Sequence, residues 1–174
     1  MKKNNPTHII IHHTASQTSK PQFKAVDNYH KSKDFPQSSL GFYVGYHWFI
    51  EQDGTVVQAR LDEDEGAHTL GGWNTKSIGV CLAGDFNVEV PTEAQIDALR
   101  ALIQKYELPY LLHREAQENR TCPGRHFSRD TIDIVVKEDT VDTEKCEAIL
   151  KQNSDLQNTI KQLIAFIVKL VSNK

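Results

Sequence analysis

Two rhythms divide this chain, and the change between them constrains its fold more than any single motif. Up to Val136, short β-branched runs alternate with apolar residues at helical spacing, and Gly, Pro and Asn punctuate the two. Beyond Asp139 there is no Gly and no Pro, and the pattern is helical throughout. Strands and helices in alternation bury their apolar faces against one another in an α/β layer structure. The sequence therefore predicts one domain over residues 1–136 and a helical segment over residues 141–172.

Within the domain, residues 8–12 read as a strand whose two-residue period puts His8, Ile10 and His12 on one face. Residues 20–31 carry a helix pattern, with Phe23, Val26 and His30 on one stripe. Residues 44–52 and 55–59 are strands joined at Asp53-Gly54, a dipeptide that favours a tight hairpin. Residues 77–82 give another strand, and residues 92–106 the clearest helix. There Thr92 and Gln95 fit a capping box, while Ile96, Leu99, Ile103 and Tyr106 recur at helical spacing. Residues 109–113 read as a further strand that delivers His113 at its end. A hairpin among strands separated by helices predicts a mixed central β-sheet flanked by helices.

Charge and composition remove several functions. The 20 Lys+Arg against 23 Asp+Glu leave a formal charge of −3. Nucleic acid is therefore not an expected partner, because that affinity rests on clustered bases neutralising phosphates. The longest apolar run, residues 163–168, falls far short of the roughly 18 residues of a membrane span. The run Ile9-Ile10-Ile11 is too short for a cleavable signal peptide. Three cysteines, Cys81, Cys122 and Cys146, cannot close a disulfide framework.

Two strand ends carry the chemistry. His12 and His113, with Cys122 nine residues after the second, form a set suited to zinc. A catalytic zinc takes three protein ligands, imidazole and thiolate among them, and keeps a fourth position for water. With eight histidines in the chain, some such spacing arises by chance, so each residue also has a structural or surface reading. Spacing does not separate His12 from the adjacent His13.

The surrounding text is more specific. Ile9-Ile10-Ile11-His12-His13-Thr14-Ala15-Ser16 is followed by Gly45-Tyr46-His47-Trp48-Phe49-Ile50 with Asp53-Gly54-Thr55. Next come Gly66-Ala67-His68 with Gly72-Trp73-Asn74, then Ser77-Ile78-Gly79-Val80-Cys81-Leu82-Ala83-Gly84, and finally His113 with Thr121-Cys122-Pro123-Gly124. These blocks, in order over roughly residues 7–130, resemble the zinc-dependent N-acetylmuramoyl-L-alanine amidase family, amidase type 2. That family shares its fold with peptidoglycan recognition proteins and includes phage endolysins, the branch this chain resembles most.

The resemblance implies that His12, His113 and Cys122 hold Zn2+, that Tyr46 is an active-site tyrosine, and that His68, Trp73 and Asn74 contact substrate. Arg120 stands two residues before the cysteine, where many members have a catalytic lysine; it keeps the charge but changes reach and geometry. In a branch resembling cytosolic recycling amidases the strand block carries a Glu proposed as general base. Here Cys81 holds that place and reads as a small buried hydrophobe. His47 alternates with Tyr46 along its strand and reads as structural.

The implied reaction is hydrolysis of the amide joining the lactyl group of N-acetylmuramic acid to L-Ala of the peptidoglycan stem peptide. Zinc would activate water and polarise the carbonyl, and Tyr46 and Arg120 would donate to the oxyanion. The implied setting is a phage or prophage endolysin, made in the bacterial cytoplasm and acting on the cell wall after release, with a cytosolic recycling role left open. Two other readings stay open. One is a non-catalytic peptidoglycan-binding module of the same fold, against which the retention of Cys122 argues. The other is a metal-free Cys–His hydrolase using Cys122 and His113.

From Cys146 a seam steps by three and four through Ile149, Asn153, Leu156, Ile160, Leu163, Ile167 and Leu170. This alternation of a and d positions predicts a coiled-coil-like helix and a homo-oligomer. A parallel dimer is favoured, with Asn153 fixing register. Ile164, Phe166, Val168 and Val171 widen the stripe, which also suits a trimer, a tetramer or a helix folded on its own domain. A membrane-lying helix has the least support, since only Lys161 and Lys169 line this last part.

Overall fold

The computed structural model describes residues 3–17 and 20–133. The predicted C-terminal helix, with its seam and self-association, lies outside them. The described elements are β1 (His8–His13), α1 (Phe23–Ser32), β2 (Trp48–Ile50), β3 (Val56–Gln58), β4 (Ser77–Leu82), α2 (Glu93–Tyr106), β5 (Tyr110–Leu112), α3 (His113–Ala116) and α4 (Arg129–Asp133). Among them, no helix is long and apolar enough to cross a membrane.

Five strands form one sheet in the order β3-β2-β4-β1-β5. Only the β2–β3 hairpin is antiparallel; β2–β4, β4–β1 and β1–β5 run parallel. The mixed sheet predicted from the hairpin is present. Parallel strands covered on both faces read as near-continuous apolar runs, and β4 is buried at every position. Ile9, Ile11, Ile78, Val80 and Leu82 pack on one face with Ile96, Leu99 and Leu102 of α2 and Ile132 of α4. On the other face Phe49, Cys81 and Ala83 meet Phe23 and Val26 of α1. Because β1 and β4 are in register, His12 pairs with Cys81 and shares that second face.

Several boundaries differ from the sequence reading, each for a reason in the tertiary structure. The strand predicted over residues 44–52 is confined to β2, because the Val44 carbonyl and the Gly45 N–H are bonded to side chains of Arg60 and His30 instead of a neighbouring strand. Helix α1 starts at Phe23, later than predicted. Its first N–H groups are capped by Glu51, whose carboxylate accepts from Gln22 N at 2.9 Å and Phe23 N at 2.8 Å. Helix α2 has the predicted capping box: Thr92 Oγ1 accepts from Gln95 N, and Gln95 Oε1 accepts from Thr92 N. His113 opens α3 where the sequence pattern had it closing a strand.

Candidate metal centre

Three separate segments converge at the end of β1. The ligand atoms of His12, His113 and Cys122 all lie within 4.8 Å of one another. His12 Nδ1 is 3.7 Å from Cys122 Sγ, and the rings of His12 and His113 have centroids 4.3 Å apart. Tetrahedral zinc with Zn–N and Zn–S bonds of about 2.1 and 2.3 Å sets its ligand atoms roughly 3.5 Å apart. The donor set therefore fits zinc with little adjustment.

The groups that orient these side chains are also in place. His12 Nε2 lies 3.0 Å from His68 Nδ1 and 3.3 Å from Thr69 Oγ1, so its other nitrogen, Nδ1, is the one turned toward Cys122. Cys122 is fixed through its loop. Arg114, the second residue of α3, donates to the carbonyls of Gly124 at 2.9 Å and Phe127 at 2.7 Å, while its own N–H binds the Cys122 carbonyl. Gly124, at φ +105°, passes so close to Phe86 that a Cβ would sit 2.4 Å from its carbonyl carbon.

Electrostatics prepare the cluster for a cation. Burial first, then the neighbouring His68 and His113, holds the His12 imidazole well below its ordinary pKa. Burial lowers His113 as well. The Cys122 thiol is pushed up to about 11 by burial, against the favourable His13 backbone N–H and the charges of Arg114 and Arg120. Without a cation these groups are neutral; with one, the thiol ionises and the imidazoles are already free to bind.

The adjacent histidines separate as strand alternation requires. His13 points to the opposite face, where its Nδ1 accepts from Phe86 N at 3.0 Å and its ring stacks on Phe86. His47 is fully buried and bonded on both sides, accepting from Gly79 N at Nδ1 and donating from Nε2 to the Asp64 carbonyl.

Tyr46 lies beside the cluster, its ring 5.1 Å from that of His12. Burial, then the neighbouring Cys81 thiol, raises the Tyr46 hydroxyl well above its ordinary pKa. The hydroxyl stays protonated, hence a donor. Cys81 itself is fully buried and its thiol is raised mainly by burial, in keeping with a packing residue.

Against the cluster opens a hollow of about 450 Å³, lined by Phe35, Ala67, His68, Thr69, Leu70, Asn74, His113, Gln117 and Arg120. Asn74 also holds the loop, its Oδ1 accepting from the N–H groups of His68 and Thr69, each at 2.9 Å. Trp73 does not line the hollow. Its indole donates to the Ala116 carbonyl at 3.0 Å, and the Lys76 ammonium sits 4.2 Å above its ring. The sequence reading missed Gln117, whose carboxamide lies between His113 and Arg120. Its spacing of four from His113 was the available signal, visible only once this segment is read as helical.

Comparison with known proteins agrees with this geometry. Residues 2–125 match the family described as N-acetylmuramoyl-L-alanine amidase. The chain is 31% identical over 129 residues to peptidoglycan-recognition protein SC2 of Drosophila melanogaster, covering 70% of each. It is 28% identical over 138 residues to the endolysin of Klebsiella phage KP32, covering 74% of this chain and 87% of that one. Among solved structures, the endolysin N-acetylmuramoyl-L-alanine amidase LysCS from Clostridium intestinale superposes with a TM-score of 0.61 at 31% identity, over 74% of this chain and 82% of the other. By sequence match and by fold, the chain belongs to the N-acetylmuramoyl-L-alanine amidase family.

Proposed function

We propose that the chain is a zinc-dependent amidase that cleaves the bond between N-acetylmuramic acid and L-alanine of the stem peptide, serving as a phage or prophage endolysin. The observation that carries this reading is the convergence of His12, His113 and Cys122 within 4.8 Å beside an open hollow. Their chemistry, two neutral imidazoles and an ionisable thiol, suits zinc and leaves a fourth position for water or substrate. Zinc held there supplies Lewis acidity, polarising the scissile carbonyl and lowering the pKa of water.

The chain's own residues do the remaining work. His68 and Thr69 orient the His12 ring. Tyr46, kept protonated, donates a hydrogen bond to the oxygen of the scissile carbonyl as charge develops on it. Arg120, exposed at the edge of the hollow, supplies a second donor and a positive charge to the same oxygen. The likeness to proteins named as endolysins from a Klebsiella phage and from Clostridium intestinale supports the setting.

The test is mass spectrometry of purified peptidoglycan after digestion, with an EDTA-treated sample and a Cys122→Ser variant alongside. The expected result is release of peptides with a free N-terminal Ala, no new reducing sugar ends, and dependence on both zinc and Cys122. Wall binding without release, in protein shown to hold zinc, would refute the amidase and leave a recognition module. Chelator-resistant release abolished by thiol alkylation would point to a Cys–His hydrolase.

A further inference from the structure

We propose that the outer face of α1, with the cleft beside it, is a docking surface for an anionic cell-wall polymer whose repeating unit is a polyol phosphate. The wall setting rests on the endolysin reading above; the charge, exposure and shape that carry the inference do not.

The chain has a formal charge of −3, yet residues 20–33 hold Lys20, Lys24, Lys31 and Lys33 against a single acid, Asp27. The Asp27 carboxylate is turned to the backbone N–H groups of Tyr43 and Val44, and Asp34 follows the last lysine. Lys24, Lys31 and Lys33 are exposed, and among the described residues none of the three has a carboxylate within ion-pair distance. Two of them touch aromatic rings instead. The Lys31 ammonium lies 5.1 Å from the ring centroid of Tyr43, and that of Lys33 lies 5.5 Å from that of Tyr29. An ammonium carries three N–H donors, so one held over a ring still offers donors to an anion.

Helix geometry sets these cations in a row. Lys24 and Lys31 are seven residues apart, two turns, so they stand on one side about 10 Å apart along the axis. Phe23 and Val26 are turned the other way, onto the sheet. Tyr29, 60% exposed, is therefore the large ring that this face presents among its lysines. Beside it lies a cleft of about 440 Å³ whose lining includes Thr14, Ser16, Lys20, Gln22, Ala25 and Tyr29. Hydroxyl, amide and ammonium groups set among methylene and ring surface match what a polyol phosphate chain presents in return.

The pattern also selects among anions. A row of cations without carboxylate partners fits a flexible chain that carries a charge at each repeat. An anionic membrane fits less well, because the apolar stripe of α1 is spent on the sheet and none is left to enter lipid. Duplex nucleic acid would bring its dense charge against a molecule that is acidic outside this face.

The experiment is calorimetric titration of the full chain with poly(glycerol phosphate), a readout that needs neither metal nor turnover. The wild type is expected to bind, more weakly as salt rises. Lys24→Gln combined with Lys31→Gln is expected to raise Kd about tenfold or more. The same pair should lower the salt slope by about 1.4, at roughly 0.7 for each phosphate contact on a single-stranded polyanion. Tyr29→Ala is expected to weaken binding about threefold or more. Lys76→Gln combined with Lys105→Gln removes the same charge from exposed positions elsewhere and is expected to stay within twofold. Absence of wild-type binding, or equal losses in the two double variants, overturns the proposal. So does tighter binding, lost with Lys24 and Lys31, to phosphatidylglycerol vesicles, to single-stranded DNA or to peptidoglycan stripped of the polymer. Those outcomes would assign the face to a membrane, to nucleic acid or to the substrate itself.

Discussion

Replacing Gly79 by alanine tests whether the packing of His68 sets the geometry of the metal centre. A Cβ at position 79 would stand 2.6 Å from His68 Cδ2 and 2.7 Å from Cγ and Nε2. Carbon contacts settle near 3.5–4.0 Å, so the ring must move by about 1 Å. It has little room to do so. A Cβ on Gly66 would meet the same ring at 2.5 Å, which shows how closely the imidazole fills the cleft between the two glycines. Its Nδ1 is bonded to His12 Nε2 at 3.0 Å and Thr69 Oγ1 at 2.9 Å, while its Nε2 is buried without a partner among the described residues.

Overpacking of this kind costs about 1–3 kcal/mol, a fall in Tm of roughly 3–10 °C for a domain of this size. Displacing His68 also frees the His12 ring, so zinc affinity should fall about tenfold, as loss of an orienting partner does. The assay is a double-mutant cycle with His68→Ala, read by urea denaturation and by chelator competition. Once the ring is gone, Gly79→Ala should cost under about 1 kcal/mol, leaving a coupling of about 1–2 kcal/mol between the two sites. Additive effects within about 0.5 kcal/mol would refute the packing argument.

Three further outcomes are expected. Arg60 is fully buried, and its guanidinium donates to the carbonyls of Val44, Glu65 and Pro36 at 2.8, 3.0 and 2.6 Å. Arg60→Met strands those acceptors and should destabilise by about 3–5 kcal/mol, seen in the urea midpoint; a loss under about 1 kcal/mol would contradict the role. Burial holds the His47 imidazole at about 4, below its ordinary 6.5, so between these values the unfolded chain takes up a proton that the folded chain refuses. Stability of chelator-treated protein should therefore be full above about pH 6.5 and fall by about 3 kcal/mol from this group as pH drops to 4, with His30 adding in the same direction. A flat urea midpoint between pH 7.5 and 4.5 would count against it. Tyr46→Phe removes the hydroxyl donor but no metal ligand, so turnover should fall about 10²–10³-fold while zinc affinity measured by chelator competition stays put; equal loss in both would show that Tyr46 acts through the cluster.

The strands and helix α2 were legible because their signals are local. The β-branched run at Ile9, Ile10 and Ile11, the Asp53-Gly54 turn and the Thr92/Gln95 capping box each act within a few residues. The family blocks likewise pointed to His12, His113 and Cys122, since backbone motifs around them occur in order along the chain. What the chain order could not show was distance. Strand alternation alone sends His13 away from His12, but the choice of the metal-facing one depends on which side of the sheet α3 and the Cys122 loop close over.

The remaining site features rest on contacts between residues far apart in sequence. Glu51 caps α1 from 28 positions away, Arg60 binds carbonyls from three loops, and the ring of His68 is seated on Gly79 from the neighbouring strand. Trp73, which the resemblance implied as a substrate contact, has its indole N–H bonded to the Ala116 carbonyl of α3, a partner 43 positions away. The sequence by itself determined the α/β class and the order of elements, because periodicity and turn chemistry are written residue by residue, and its resemblance to a known family implied the candidate ligands. Only the tertiary structure decided which nitrogens face inward, what orients them and where the hollow opens, because a buried polar group takes its partner from whichever segment packing brings within hydrogen-bond reach.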